Sequence, residues 1–261
     1  MTETWTMDSL KEIFRFPFQQ EGWQQPFLIG SVLILAGFFI PIVPLVFVAG
    51  YIARVMAQAI AREAPSLPRW EDWGELGRKG LRLTAISLIY LLPGAVITIV
   101  GFIFYMGVTM LSPLLVLVPG DETATSVLIM LVVFGGLGVL FLSLAVGSLL
   151  LLAGGIPLPL AAAHATSEDS FTAAFRIGEW RRFLRRARLG YFIVWVLVAG
   201  LGTILYGALT LATYSIVLCT VVPFIMAPLS LYVSLVSAVL FGQIYSRMRD
   251  RDTGPSESSH P

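Results

Sequence analysis

The chain has 261 residues and a formal net charge of +1, and 57% of its residues are apolar while only 13% are charged. Because about a quarter of the residues of a typical soluble domain are charged, this composition excludes a water-soluble globular protein. A net charge near zero also argues against nucleic acid as a partner, since the chain has no overall basic field to attract phosphates.

Residues 1–23 form an N-terminal segment in which charged and aromatic side chains are mixed in an amphipathic pattern. The first apolar run begins near Pro26, and no small-residue cleavage site follows it. We therefore expect this run to be a retained membrane anchor and not a signal peptide.

Four long stretches contain no Lys, Arg, Asp or Glu, and the last of them, residues 189–246, is long enough for two spans. A helix needs roughly 20 apolar residues to cross a hydrocarbon core about 30 Å thick. We predict an all-α polytopic transmembrane bundle that forms a single domain over residues 24–247. Its six predicted spans are residues 24–40, 44–62, 82–110, 124–152, 189–212 and 222–246.

Prolines and glycines mark the candidate helix breaks. Pro41 and Pro44 each remove a backbone donor and crowd the preceding turn, which predicts a hairpin apex. One long tilted helix from Pro26 to Arg54 would also fit the apolar run. Breaks of this kind are either simple proline kinks or unwound backbone beside a watery cavity. The remaining candidates are Pro93, Gly94, Pro157, Pro159, Pro223 and Pro228.

The positions of the cations predict the orientation. With six spans and a cytoplasmic N-terminus, all 17 Lys and Arg lie on the cytoplasmic side, as the positive-inside rule requires. A five-span chain would instead place Lys11 and Arg15 outside. We therefore expect a multi-pass protein of the cytoplasmic membrane with both termini inside and a disordered polar tail over residues 248–261.

Residues 168–188 are predicted to form an interfacial element of two amphipathic pieces separated by Gly178. One face is apolar and the other carries arginines, which is typical of a helix in the headgroup layer with its cations toward anionic lipid. The positive-inside rule alone would also explain the arginines. The candidate lipid or partner contacts are Arg176, Trp180, Arg181, Arg182, Arg185, Arg186 and Arg188.

A second interfacial helix is predicted near residues 66–80, where Trp70 and Trp73 suit the membrane boundary and are further candidate contacts. Between them, Glu71 and Asp72 are a candidate polar site for acid–base or cation chemistry. Adjacent helical residues point about 100° apart, so these two carboxylates do not converge without help.

No motif in the sequence predicts a catalytic residue, a cofactor site or a metal site, and we expect a protein that is not an enzyme. His164 is a lone imidazole in its segment, so an interfacial polar residue is favoured over a metal ligand or a catalytic group. The spacings of Ser143 to Gly147 and of Thr203 to Gly207 predict close contacts between helices.

Residues 8–15 and 169–176 resemble one another. Their sequences, DSLKEIFR and DSFTAAFR, are identical at four of eight positions. Duplicated halves are common in transporters, and a duplication here would place a second hairpin apex at Val222–Pro223 to match the one at Val43–Pro44.

Several short motifs are distributed over residues 8–247, and the most specific is Pro68-x-Trp70-Glu71-Asp72-Trp73-Gly74. The others are Phe16-Pro17-Phe18, Gly22-Trp23, Gly50-Tyr51 with Arg54, Gly80-Leu81, Ile89-Tyr90-Leu91-Leu92-Pro93 and Ala174-Phe175-Arg176. Together they resemble the prokaryotic membrane family catalogued as domain of unknown function 4013. The resemblance implies a bacterial or archaeal cytoplasmic-membrane protein with several spans, and it implies no activity and no catalytic residue.

The sequence leaves three functions open. The favoured one is a non-enzymatic protein that docks anionic lipid or a partner complex through its cytoplasmic amphipathic helices. A homo-oligomer or a membrane-complex partner is also open. The second is a transporter or channel for a neutral or amphiphilic solute, built from two repeats. The third is an intramembrane enzyme, whose candidate acids are Glu71, Asp72, Glu75 and Glu168.

Overall fold

A computed structural model describes residues 7–117, 120–186, 188–212, 214 and 216–252, and in these ranges the chain forms nine α-helices and no strand. Two 3-10 segments, Ser112–Leu117 and Thr172–Phe175, connect some of them. The helices are α1 (Met7–Gln19), α2 (Gln24–Ala36), α3 (Val43–Ile60), α4 (Trp73–Leu111), α5 (Glu122–Gly155), α6 (Leu158–Ser167), α7 (Ile177–Arg186), α8 (Arg188–Ala212) and α9 (Ile216–Asp252).

Among the described residues, five helical stretches are long and apolar enough to cross a membrane. Helix α2 has only 13 residues, which corresponds to about 20 Å at 1.5 Å per residue and falls short of a full span. The first of the six predicted spans is therefore a short apolar helix. The five long stretches are Val43–Ile60, Trp73–Leu117, Glu122–Ser167, Leu189–Leu211 and Thr220–Asp250.

The break predicted at Pro41 and Pro44 is confirmed. Helix α2 ends at Ala36, and the chain turns through Ile42, whose φ of 78° is incompatible with a continuous helix. Pro44 then lies in the first turn of α3, where a missing N–H leaves no hydrogen bond unmade. The alternative of one long tilted helix across this region is wrong.

Four of the other residues predicted to break a helix do not interrupt one. Pro93 and Gly94 lie inside the continuous helix α4, and Pro223 and Pro228 lie inside α9. The apex predicted at Val222–Pro223 is therefore wrong, because α8 ends at Ala212 and α9 already begins at Ile216. Membrane helices tolerate proline because neighbouring groups can satisfy the freed carbonyl.

A break does separate α5 from α6. The chain turns at Ile156 and Pro157 after Gly155, and Pro159 lies in the first turn of α6.

Near the C-terminus, α9 continues to Asp252, beyond the end predicted at residue 246. The part of the predicted tail from residue 248 to 252 is thus helical, and residues 253–261 lie outside the described residues.

The helices pack as two compact units, of which the first takes the described residues up to Ile86 and those from Pro159 onward. Helix α9 is its centre and contacts α1, α2, α3, α7 and α8. The side chains of Leu231, Leu235, Val239 and Leu240 on α9 are fully buried. Within the predicted N-terminal segment, α1 is amphipathic, since Ile13 and Phe16 belong to this core while Lys11 and Arg15 are exposed; residues 1–6 lie outside the described residues.

Helices α3 and α4 approach closely in the first unit because glycines face backbone across the contact. A Cβ on Gly50 would collide with the carbonyl oxygen of Leu76, and a Cβ on Gly80 would collide with that of Val46. Small residues allow membrane helices to pack backbone against backbone. The two glycines therefore fix where α4 begins to run beside α3.

The second unit, Ser87–Leu158, contains most of α4 and all of α5. A Cβ on Gly94 would lie 2.7 Å from the carbonyl oxygen of Gly147, and one on Gly101 would collide with the Ser143 side chain. The predicted close contact at Ser143 and Gly147 is thus confirmed. Many large apolar side chains of this unit are exposed, as expected of a surface in contact with lipid. They include Phe102, Phe134 and Phe141.

The close helix contact predicted from Thr203 to Gly207 on α8 is not found at Gly207 in the described part of the chain. Among the described residues, a Cβ on Gly207 would meet nothing within 4 Å. The Thr203 hydroxyl donates to the carbonyl oxygen of Ala199, one turn earlier in the same helix, at 2.8 Å. Its polar group is therefore satisfied within α8.

Candidate functional site

The family-like motif around Trp70 is a buried joint of the first unit. The Trp70 indole is only 8% exposed, and its Nε1 donates a 2.8 Å hydrogen bond to the carbonyl oxygen of Pro26. The indole stacks on Tyr51, whose hydroxyl donates to the carbonyl oxygen of Pro68 at 2.9 Å. The backbone N–H of Leu67 donates to Gln20 Oε1 at 2.9 Å. These contacts tie the loop to α2, α3 and the segment after α1.

The interfacial helix predicted near residues 66–80 is not present as a separate element, because its second half is the start of α4. Residues 63–72 form no helix, and α4 begins at Trp73. Trp70 packs inside the protein, since it belongs to the core around α9, and its ring nitrogen has a backbone partner there. Trp73 is 45% exposed and contacts Phe47 edge to face, so it alone of the two keeps a surface position.

The structure does not bring Glu71 and Asp72 together as a polar site. Both are exposed, and Glu71 has Arg69 at 3.9 Å. Asp72, at a φ of 57°, instead starts α4, since its carbonyl oxygen accepts from the N–H of Glu75 at 2.9 Å. The carboxylate with close ionic partners is that of Glu75, which lies 2.6 Å from Lys79 Nζ and 3.1 Å from Arg54.

The interfacial element predicted over residues 168–188 consists of a 3-10 turn followed by α7. The break between them is at Arg176, with φ of −77° and ψ of 67°, and the predicted breaker Gly178 lies inside α7. Trp180 is 5% exposed, belongs to the core around α9 and donates from Nε1 to the carbonyl oxygen of Ala174 at 3.2 Å. The structure thus places Trp180 against protein, where the sequence predicted lipid.

The other described residues of α7, from Ile177 to Glu179 and Arg181, are exposed. Arg181 is exposed, and Arg176 is half-exposed beside the carboxylates of Glu168 and Glu179. The backbone of α7 is helical through Arg186, so the arginines at positions 181, 182, 185 and 186 are spaced along one α-helix. The side chains of Arg182, Arg185, Arg186 and Arg188 lie outside the described residues.

A polar cluster that the sequence did not predict surrounds His164. The histidine is 3% exposed, and its Nδ1 lies 2.7 Å from the Tyr245 hydroxyl on α9. Its Nε2 lies 3.0 Å from Glu179 Oε2 and 3.5 Å from Glu168 Oε1. Arg176 donates to Glu168 Oε2 at 3.0 Å. An imidazole and two carboxylates therefore converge where α6, α7 and α9 meet.

The interpretation of His164 as a lone interfacial residue is thus corrected. A partial signal was present, since His164 and Glu168 are four residues apart and share a helix face or its continuation. Glu179 is separated from them by the 3-10 turn, and only the packing of α7 on α9 brings it within reach. Periodicity cannot report such a contact.

Cations and carboxylates of several elements meet at the same end of the first unit. Arg62, at the end of α3, forms an ion pair with Asp250 on α9 and donates to Ser246 Oγ at 3.2 Å. Arg82 on α4 forms an ion pair with Asp169, in the turn that follows α6. A cavity of about 510 Å³ beside α1 is also polar at this end; it is lined by residues that include Glu12, Arg62, Glu63, Gln243 and Arg247.

The two segments that resemble one another in sequence differ in conformation. Residues 8–15 lie in the continuous helix α1, whereas residues 169–176 form a turn and a 3-10 segment. The four shared residues therefore do not specify a common local structure.

A family model described as a protein of unknown function (DUF4013) matches residues 33–214. This match covers the Trp70 motif and α7, but it leaves out the motifs at Phe16 and Gly22 that the sequence resemblance included. Neither a curated protein nor a solved structure matches the chain.

Proposed function

We propose that this chain, which belongs to the DUF4013 family, is a non-enzymatic integral membrane protein that docks anionic lipid headgroups through the basic face of α7. The observation that carries this proposal is the position of Trp180. Its indole is buried in the core around α9, so α7 is anchored to the protein at Trp180, while the neighbouring Arg181 is exposed.

The chemistry of the basic face of α7 suits a phosphate-bearing surface. Arg181 is exposed, and the sequence of α7 places Arg182, Arg185 and Arg186 at helical spacing with it. Cations near an anionic membrane surface contribute about 1 kcal/mol each. The start of this element adds exposed apolar area of the kind that enters the headgroup boundary. It comes from Phe171, Phe175 and Ile177.

The side of the membrane follows from the same charges. The segment after α3, the start of α4 and the element from α6 to α7 contribute Lys or Arg to one end of the first unit, and Arg247 on α9 lines the cavity that Arg62 also lines there. By the positive-inside rule this end faces the cytoplasm, and the anionic lipids of the inner leaflet of a prokaryotic plasma membrane are the surface that α7 meets.

The test compares lipid preference in the purified full-length protein. The protein is equilibrated with mixed micelles of phosphatidylcholine and phosphatidylglycerol, and bound lipids are counted by native mass spectrometry. Replacing Arg181, Arg182, Arg185 and Arg186 with Gln removes up to about 4 kcal/mol of attraction, and the loss of even half of that lowers the preference for phosphatidylglycerol more than tenfold.

A matched control removes four cations elsewhere. Lys11, Arg15, Arg69 and Arg78 are exposed and lie outside α7. On this proposal their replacement by Gln lowers the phosphatidylglycerol preference less than the α7 variant does, because these four cations are spread over three segments and are not clustered on one helix. Equal losses in the two variants would show that only total charge matters, and unchanged binding in the α7 variant would remove the proposal.

A further inference from the structure

We propose that His164, Glu168 and Glu179 form a binding site for a divalent transition-metal ion of the Zn²⁺ type. This site lies on the inner side of α7 and does not depend on lipid docking. Its three ligand atoms, one imidazole nitrogen and one carboxylate oxygen from each glutamate, all lie within 4.8 Å of one another.

The distances fit a tetrahedral ion. Zinc takes nitrogen and oxygen ligands at about 2.0–2.2 Å, so ligand atoms on one tetrahedron are about 3.4 Å apart. His164 Nε2 lies 3.5 Å from Glu168 Oε1 and 3.0 Å from Glu179 Oε2. An ion between these atoms therefore needs only small side-chain rotations of the glutamates.

The burial of the ligands leaves one position open. The His164 side chain is 4% exposed, which fixes the imidazole, whereas the side chains of Glu168 and Glu179 are 35% and 48% exposed. The glutamates thus give an ion a route from water to the buried nitrogen. Three protein ligands leave the fourth position of a four-coordinate zinc ion to water.

The Nδ1 nitrogen of His164 is within hydrogen-bond distance of the Tyr245 hydroxyl, which in turn contacts the Ser167 hydroxyl. This arrangement suits metal binding at the other nitrogen. Ser167 has one proton and two acceptors in reach, the carbonyl oxygen of His164 at 2.8 Å and the Tyr245 hydroxyl at 3.0 Å. When Ser167 donates to the carbonyl, the geometry allows the Tyr245 hydroxyl to donate to Ser167 and to accept from Nδ1–H. Nε2 then points its lone pair at the two carboxylates, which is the tautomer that a metal requires.

Arg176 completes the surroundings. It donates to Glu168 Oε2 at 3.0 Å and lies 3.6 Å from Glu179 Oε2, so Glu168 keeps Oε1 for the ion. Two carboxylates and one guanidinium leave a net charge of −1 next to a neutral imidazole, and a divalent cation reverses this charge. The competing arrangement is a metal-free cluster in which the imidazole is protonated.

The ligand types select among cations. Imidazole nitrogen favours Zn²⁺ and other late first-row ions, whereas Mg²⁺ prefers oxygen ligands and retains most of its waters. We therefore expect Zn²⁺ to bind and Mg²⁺ at equal concentration not to displace it.

The experiment uses the full-length protein in detergent without a polyhistidine tag, stripped with chelator and titrated with Zn²⁺. The proposal predicts one Zn²⁺ per chain. Glu179→Gln preserves shape at a half-exposed position and weakens the affinity at least a hundredfold, and Tyr245→Phe weakens it ten- to a hundredfold with the stoichiometry kept. The control variants Glu63→Gln, Cys219→Ser and His260→Ala retain the wild-type affinity.

A spectroscopic readout separates metal binding from an ion-pair cluster. The chain has only two histidines, so His260→Ala leaves His164 as the sole ¹⁵N-histidine signal. With Zn²⁺ bound, Nδ1 carries the proton and Nε2 does not. The proposal is overturned if wild type and Glu179→Gln bind Zn²⁺ equally, if Nε2 stays protonated at saturating Zn²⁺, or if Mg²⁺ competes at equal concentration.

Discussion

The indole of Trp70 lies flat on the phenol ring of Tyr51, with ring centroids 4.2 Å apart and ring planes 4° apart. The Tyr51 hydroxyl donates to Pro68, two residues before the indole, so the ring pair and the hydrogen bond close the loop onto α3. Trp70 also reaches Pro26 at the start of α2. One aromatic pair therefore joins three elements of the first unit.

Replacing Trp70 with Ala removes this joint, and we expect a loss of about 3–5 kcal/mol of unfolding free energy. Trp73→Ala is the control, because that indole is 45% exposed and its loss leaves no cavity of comparable size. Thermal unfolding of the purified protein in detergent measures both. Similar midpoints for the two variants would contradict the structural role assigned to Trp70.

Gly50→Ala is expected to push α3 and α4 apart where their backbones are in close contact. The new methyl group would meet the carbonyl oxygen of Leu76, which is backbone and cannot rotate away. We expect destabilisation of about 1–3 kcal/mol, as for other overpacked sites. Gly74→Ala has nothing within 4 Å of its Cβ and should be neutral or stabilising. The opposite order of thermal midpoints would refute the proposed contact.

The second unit has an equivalent test. A Cβ on Gly154 would collide with the carbonyl oxygen of Tyr90, whereas a Cβ on Gly135 meets nothing within 4 Å. Gly154→Ala is therefore expected to lower the unfolding temperature in detergent, and Gly135→Ala is not. If Gly154→Ala unfolds at the wild-type temperature, α4 and α5 do not pack as described.

Asp121 caps α5, since its side chain accepts a 2.9 Å hydrogen bond from the N–H of Ala124. Asp121→Ala leaves that donor without its cap, and we expect a cost of about 0.5–2 kcal/mol. Asp121→Asn retains an acceptor and should lose less. Denaturation of the two variants side by side measures the difference, and an equal loss would assign the effect to charge.

The sequence predicted the long helices well because their signal is the absence of charge. The uncharged stretches place α5 and α8 close to their observed ends and α4 close to its C-terminal end, but α4 begins nine residues before its predicted span, in a charged segment. The prediction failed at Pro223, because proline ends a helix in water more reliably than in a packed membrane bundle. The sequence also did not predict that α2 is shorter than a full span, because the apolar run continues through the turn between α2 and α3.

The candidate site was less predictable for a different reason. An apolar face has the same composition whether it meets lipid or protein, so Trp70 and Trp180 were assigned to the membrane surface although both are buried. The convergence of Glu179 on His164 depends on how α7 packs against α9. Neither the burial of the two indoles nor the contact of Glu179 with His164 can be predicted from the spacing of residues along the chain.

The most direct test of the central claim is the side of the membrane on which α7 lies. In a Cys219→Ser background, Arg181→Cys and Asp121→Cys are treated in intact cells with a maleimide that does not cross membranes. We expect position 121 to react from outside, and position 181 to react only after the membrane is permeabilised. Labelling at position 181 in intact cells would contradict the docking of α7 on cytoplasmic anionic lipid.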